Sequence, residues 1–385
     1  MTQADQLGTL TPSAVRPMDV PDPIVTLCET FRTAGHIAVV VGGRVRDHLL
    51  HVPSEGPWDL ATSATMRQIR EIRPDVTMED SSHTDLTLAL ASLKGADIEM
   101  TPFRSSHNFE REGRPDWDAS AATLEQDLAG RDFTVNAMAY DPLTGALYDP
   151  HGGRSDLEQD LLRCLDGAEA RFRYDPVRML RGVRIAGRLG LRIEETTWAA
   201  MIAVAQQVLA FPPKRTALEF DRILELPERN PCLQQLLDLG ILPRILPSVA
   251  ACKGIDDPFS PGTDLWTTML RALMFLDPRW HTGSWAILVG GAALAEQPHP
   301  GDLRPLETSI RDVIVEVRDA LPVDEIDWRN SVQESMRFLG IVRESVIWPQ
   351  DTESWTRWSQ VARTVHYSVV QSWHPVAVAW SEARR

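Results

Sequence analysis

The chain has 385 residues, 43% of them hydrophobic, and a formal net charge of −15. That length supports two or three domains with separate cores, and no apolar run approaches membrane-spanning length. The acidic balance argues against broad nucleic-acid binding, which needs positive surface to neutralise phosphates.

The charge is not uniform. Arg171, Arg173, Arg178, Arg181, Arg184, Arg188 and Arg192 crowd residues 171–192 against few acids, a local basic face suited to an RNA end. Four cysteines, Cys28, Cys164, Cys232 and Cys252, are scattered without paired spacing. They suggest neither a zinc nor a redox motif, and they fit a reduced, cytoplasmic setting. The first twenty or so residues are polar and lack the apolar core of a signal peptide.

In chain order, residues 1–21 read as a flexible leader. Helical periodicity over 23–34 stops at Gly35. An apolar strand at 37–41 runs into Gly42-Gly43, and a short helix follows with Arg44, Arg46 and Asp47. A strand is expected near 58–61. Thr65 caps a helix through Ile72, which Pro74 ends. Strands near 84–90 and 96–102 complete a small mixed sheet. Residues 105–121 are polar, contain proline and read as a mobile loop. Thr123-x-x-Gln126 has the form of a capping box and opens a helix into Asp132.

This α/β head occupies 22–153. Ser155-x-x-Glu158 is a second capping-box pattern. Asp175 or Pro176 opens the next helix, since proline is tolerated in a first turn. That helix runs to Gly190 with an apolar stripe of Met179, Leu180, Val183, Ala186 and Leu189. Two further helices fill 212–247, so 154–254 forms a helical neck and body. A Pro/Gly-containing break at 255–263 precedes a helical, Trp-rich segment, 264–385. The expected class is α+β, a head with a small mixed sheet followed by all-α regions.

The chemistry concentrates in residues 42–62. Glycines at a strand-to-helix turn let a triphosphate approach the backbone, and a helix N-terminus favours its charge. A second strand then delivers carboxylates for divalent metal. Phosphoryl chemistry with two metals needs two or three such oxygens converging, and alternate residues of a strand share a face. Here the second position is Asp59, but the first is Pro57, whose side chain has no oxygen.

These residues resemble the class II tRNA nucleotidyltransferase and bacterial poly(A) polymerase family, and the resemblance extends further. Glu99-Met100-Thr101-Pro102-Phe103-Arg104 is similar to the strand with the family's third carboxylate. Arg131-Asp132-Phe133-Thr134-Val135-Asn136-Ala137 is similar to its ribose and triphosphate segment. Asp149-Pro150-His151-Gly152-Gly153 is similar to the connector from head to neck. Asp175-Pro176-Val177-Arg178 resembles the base-reading helix. The match covers roughly residues 20–250 in a consistent order.

The resemblance implies a polymerase-β-like nucleotidyltransferase head that adds CMP or AMP, from CTP or ATP, to the 3′ end of tRNA. Asp59 and Glu99 would be the catalytic, Mg²⁺-binding carboxylates. Gly42, Gly43, Arg46, Arg104, Arg131, Asp132 and Asn136 would bind the nucleotide's phosphates and sugar. Asp175 and Arg178 would read its base, because a carboxylate and a guanidinium present complementary edges. Arg181, Arg184 and Arg188, with Arg192, recur at helical spacing as a grip for RNA.

Several residues depart from the pattern: Pro57 at the first metal position, Gly130 where a second arginine is usual, Tyr174 before Asp175, and the 82–85 loop. Glu55 and Asp97 are the carboxylates placed to substitute. Two alternatives therefore stand beside tRNA end addition: poly(A)-type tailing, and a catalytically impaired RNA-binding relative. Trp355, Trp358, Trp373 and Trp380 offer stacking surfaces for RNA, or core and interface packing. The stretch from Leu288 to Ala292 lacks the His-Asp pair that some relatives carry nearby, so no phosphohydrolase activity is expected.

Overall fold

The computed structural model describes residues 3–54, 56–80, 87–93, 96–104, 122–207, 211–257 and 262–274, with isolated positions up to 295. The expectations for Glu55, the 82–85 loop, the 105–121 loop and the tryptophans from Trp355 onward lie outside the described residues. Contacts divide the chain into two compact units. One holds 1–178 and 190–201, the other 179–189 and 202–385.

In the first unit the chain forms α1 (Gln3–Leu7), β1 (Ser13–Ala14), α2 (Asp22–Thr33), β2 (Ala38–Val41) and α3 (Gly43–Leu49). It continues through β3 (Trp58–Thr62), α4 (Met66–Ile72), β4 (Thr77–Asp80), β5 (Thr87–Leu93) and β6 (Ala96–Pro102). After 105–121 come α5 (Leu124–Ala129), a 3₁₀ turn (Thr134–Asn136), β7 (Ala139–Asp141), β8 (Ala146–Tyr148), α6 (Gly153–Glu158) and β9 (Leu161–Leu162). α7 (Ala168–Tyr174) leads into α8 (Val177–Leu189), which passes into the second unit after Arg178, and the first unit resumes with β10 (Arg192–Ile193) and most of α9 (Glu195–Ala205).

The strands form a mixed sheet in the order β1-β8-β7-β2-β3-β6-β5-β4. Its neighbours are antiparallel except β3 and β6, which are parallel. β2 lies inside the sheet, and all four of its residues are buried, as its unbroken apolar run requires. Ile37, Val39, Val41, Ala61 and Phe103 pack with Leu124 and Leu128 of α5 in one core cluster. α2 buries Ile24, Leu27, Cys28 and Phe31 at helical spacing. Thr65 and Thr123 both complete capping boxes, with Gln68 and Gln126 respectively.

The second unit contains the bulk of α8, then α10 (Pro213–Leu224), α11 (Arg229–Asp238), α12 (Leu242–Ile245), α13 (Pro247–Ala250) and α14 (Leu265–Met274). α8 packs closely on α11: a Cβ at Gly187 would lie 2.2 Å from the Cys232 sulfur. An α+β chain, with a small mixed sheet followed by helices, is what the sequence predicts. No helix among the described residues is long and apolar enough to cross a membrane.

Four local expectations are corrected. The leader is not free of structure: α1 docks through Gln6, whose side chain bonds Gly35 and Ile37, and β1 pairs with β8. Ser155 does not cap a helix, because α6 starts earlier, and the Asp149 carboxylate accepts from the Gly153 and Arg154 amides at 2.7 and 2.9 Å. α5 ends at Ala129, short of Asp132. Arg192 leaves the basic helix, since α8 stops at Leu189, Gly190 takes φ +68°, and Arg192 joins β10 beside β9. α9 is additional, an apolar helix after Glu195 that the reading passed over.

Gly153 marks where the connector meets the head. A Cβ there would lie 2.3 Å from the Thr134 backbone carbonyl oxygen, which has little room to retreat. Gly153→Ala should lower stability by about 1–3 kcal/mol, the usual penalty of overpacking. Urea unfolding would read this as a lower midpoint at unchanged slope.

Candidate active site

β2 runs antiparallel to β3 with Val40 opposite Leu60, so its end at Gly42 comes beside the start of β3. β3 and β6 are parallel, with Asp59 in register with Glu99. Residues in register on neighbouring strands project from the same face, so the two carboxylates stand side by side, each half-buried. Gly42 has φ +70°, where glycine carries no steric penalty. A Cβ on it would lie 3.2 Å from Arg131 Nη1 and 3.6 Å from Asp59 Oδ2. Gly42, Asp59 and Arg131 therefore meet at one point.

Asp127, which the sequence reading missed, organises the basic side of this point. It is fully buried on α5. One carboxylate oxygen accepts from the Arg104 backbone N–H at 3.2 Å and Nε at 3.1 Å. The other accepts from Arg131 Nε at 3.3 Å and Nη2 at 2.9 Å. Burial alone pushes the carboxyl up, but the Arg131 and Arg104 charges and their hydrogen bonds outweigh it and hold it below the ordinary carboxylate value. The only sequence signal was the Asp127–Arg131 spacing of four on one helical turn.

Arg171 is a second residue counted only as a basic charge. Its guanidinium donates to the carbonyls of Arg131 at 2.9 Å, Ala129 at 2.7 Å and Asp166 at 2.8 Å. It thereby ties α7 to the backbone that carries Arg131.

A polar chain runs beside the glycine turn. Arg46 is buried and donates from Nε and Nη2 to Asp47 at 2.8 and 2.6 Å, and from Nη1 to Asn136 Oδ1 at 2.7 Å. Asn136 donates in turn to Asp132 Oδ1 at 3.0 Å, which also accepts from the Phe133 amide at 2.9 Å. A Cβ on Gly43 would lie 3.4 Å from Arg46 Nη2. The structure thus brings Gly43, Arg46, Asn136 and Asp132 together. Arg46 orients Asn136, and Asp47 supports Arg46 as the salt bridge expected of it.

Asp175 and Arg178 form a separate pair at the start of α8, 3.7 Å apart, with side chains only 11% and 12% exposed. This is the i,i+3 ion pair, though set into the fold and not on its surface. In the second unit, Arg181 and Arg184 converge on the buried carboxylate of Glu219 at 3.3 and 2.7 Å. Burial pushes Glu219 up, but the Arg184 and Arg181 charges hold it low. Arg188 lies in the last turn of the same helix.

Asp59 and Glu99 could hold one Mg²⁺, which keeps several waters and takes few protein carboxylates. No group of three or more metal-capable side chains occurs among the described residues. Pro57 adds no ligand, and its carbonyl accepts from Arg44 Nε at 3.3 Å. Among the described residues, the donors therefore fit one divalent ion.

Residues 38–163 match the model of the poly A polymerase head domain, and 190–253 match the probable RNA and SrmB-binding site of polymerase A. The CCA-adding enzyme of Geobacillus thermodenitrificans is 36% identical over 216 residues, 56% of this chain and 52% of that protein. The CCA-adding enzyme of Streptococcus mutans is 32% identical over 269 residues, 67% and 65% respectively. The chain thus spans between about half and just under two thirds of the curated relatives it matches. The crystal structure of the Bacillus stearothermophilus CCA-adding enzyme in complex with CTP aligns with TM-score 0.56 at 24% identity, over 91% of this chain and 83% of that one. A tRNA-processing enzyme complex aligns with TM-score 0.61 at 19% identity, over 93% and 89%. At such identities the solved structures establish the fold.

Removing the shared carboxylate should expose its weight. Asp127→Asn leaves two guanidinium groups without their counter-charge and should cost about 3 kcal/mol. In the unaltered chain the folded carboxyl is lower than the unfolded one. Its contribution is therefore complete above about pH 3.9, the unperturbed value, and is lost as pH falls through the lower folded value. Urea unfolding from pH 7 to pH 2 should show this acid loss in the unaltered protein and not in Asp127→Asn.

Proposed function

We infer that this chain, whose head and following helices belong to the class II tRNA nucleotidyltransferase and poly(A) polymerase family, transfers nucleotides from CTP or ATP to an RNA 3′ end. The observation that carries the reading is the register of Asp59 with Glu99 beside Gly42 and Arg131. An acidic pair, a glycine that admits phosphate, and a tethered arginine are the parts that nucleotidyl transfer requires.

A Mg²⁺ ion held by Asp59 and Glu99 would lower the pKa of the attacking 3′-hydroxyl and polarise the phosphoryl group. Gly42 and Gly43 leave room for the triphosphate. Arg131, held by Asp127, faces that space from the Gly42 side and neutralises phosphate charge. Arg104 shares the same carboxylate and supports this edge. Asn136, oriented by Arg46 and Asp132, meets the sugar. Asp175 and Arg178 present one acceptor and one donor fork to the base. The RNA partner is the tRNA acceptor end, as the tRNA complex of a solved CCA-adding enzyme suggests, and Arg181, Arg184 and Arg188 would contact RNA. Poly(A)-type tailing uses the same parts. The impaired-relative reading draws on Pro57, whose missing oxygen costs several kcal/mol of transition-state stabilisation, on the order of 10³-fold in rate.

The test is extension of tRNA transcripts ending before CCA, after C and after CC, with Mg²⁺ and labelled CTP or ATP. Extension should occur and should fall by at least about 100-fold in Asp59→Ala. Absence of extension at high enzyme concentration, with RNA still retained, would support the impaired relative instead. Arg178→Ala should blunt the choice between CTP and ATP more than it lowers the overall rate, read as the ratio of the two kcat/KM values.

A further inference from the structure

The leader lies outside the matched head segment, 38–163, yet it is laced onto the head by hydrogen bonds. Gln6 Nε2 donates to the Gly35 carbonyl at 2.9 Å, and Oε1 accepts from the Ile37 amide at 3.1 Å and the Ser63 hydroxyl at 2.8 Å. Thr9 then reaches α5. Its backbone N–H donates to Glu125 Oε2 at 3.0 Å and its hydroxyl to Oε1 at 2.7 Å. Gly8 permits this approach: it takes φ +76°, and a Cβ on it would lie 2.6 Å from Glu125 Oε2 and 3.1 Å from Glu125 Cβ. Leu7 and Leu10 pack against the core cluster that holds Leu124 and Leu128.

Glu125 and Asp127 share a helix of six residues. A helix that short is not stable by its own hydrogen bonds, so its place is set by what holds its sides. Leu124 and Leu128 face the core, Asp127 holds Arg104 and Arg131, and Glu125 takes the leader. Both Glu125 oxygens are engaged by Thr9, and those bonds keep its carboxyl below the ordinary value. One continuous path thus runs from Thr9 to Glu125, along α5 to Asp127, and on to Arg131 beside Gly42.

We propose that Glu125 is a positioning residue for the triphosphate: by gripping Thr9 it straps the leader over α5, and through Asp127 it fixes Arg131 against the phosphates. The inference rests on the nucleotidyl-transfer reading, which puts Arg131 on phosphate. Loss of the strap is then felt at the phosphates and not at the base or sugar, because Asp175, Arg178 and Asn136 lie off α5.

The experiment measures Kd for CTP and for CMP with Mg²⁺ by calorimetric titration of the full chain, CMP being taken into the millimolar range. The proteins are the unaltered chain, Glu125→Ala, Arg131→Ala and the double variant. Glu125→Ala should weaken CTP about 10-fold and CMP less than about 2-fold, and the double variant should bind CTP no more weakly than Arg131→Ala, since residues acting through one contact are not additive. Glu125→Gln, which keeps an oxygen for the Thr9 amide, should recover most of the CTP affinity. Unchanged CTP affinity in Glu125→Ala, equal weakening of CTP and CMP, or losses that multiply in the double variant would overturn the proposal and leave the nucleotidyl-transfer reading intact. If Glu125→Ala does not fold, Gly8→Ala decides the matter, because its methyl collides with Glu125: a selective loss of CTP agrees with the strap, and unchanged CTP affinity contradicts it. No binding of CTP by the folded, unaltered chain overturns both readings together.

Discussion

The buried carboxylate of Asp127 is the interaction on which the site depends. A charge with no exposure to water needs partners, and Asp127 takes two arginines from different parts of the chain. Arg104 follows β6, the strand that presents Glu99. Arg131 follows α5 and reaches Gly42, which Asp59 also borders. The end of the sheet and the segment after 105–121 are thereby fixed to each other by one ionic knot. Removing any member would leave a charge stranded in low dielectric, which is why such knots tolerate little change. Arg171 adds a second tie through backbone carbonyls, so the position of Arg131 is set from both sides.

The acidic half of the site is fixed by the sheet. Parallel pairing of β3 with β6 brings Asp59 level with Glu99, and a slip of one residue would turn one of them to the opposite face. Burial of Leu60, Ala61, Ile98 and Met100 around them makes that slip costly. The register of the two carboxylates is thus enforced by the apolar side chains around them. The neighbouring edge is different. There a proline, a glycine and the Arg44 hydrogen bonds replace the regular alternation of a strand.

Much of this was legible in the sequence, and the reasons are local. The run Ile37 to Val41 followed by two glycines can do little other than form a buried strand and a phosphate-sized turn. Thr65 and Thr123 each have glutamine three residues on, and both cap as written. Asp59 and Glu99 stood out because few residue types hold divalent ions. Asp127 and Arg44 did not stand out, because an acid in an amphipathic helix and an arginine after a turn are ordinary until their partners are known. Those partners are distant in sequence or are backbone carbonyls, which no residue pattern encodes. Ser155 misled because Asp149, just before the glycines, supplies the cap instead. Arg192 misled because helical spacing was carried past Gly190, where the backbone turns left-handed.

The central claim is that these acidic and basic halves form a single nucleoside triphosphate site with one pocket for both nucleotides. Calorimetric titration of the full chain with CTP, then with ATP in the presence of saturating CTP, tests it most directly. The account predicts one CTP per chain and an apparent ATP affinity that falls in proportion to the CTP present. ATP binding undiminished by CTP, or no heat from either nucleotide with Mg²⁺ present, would contradict it.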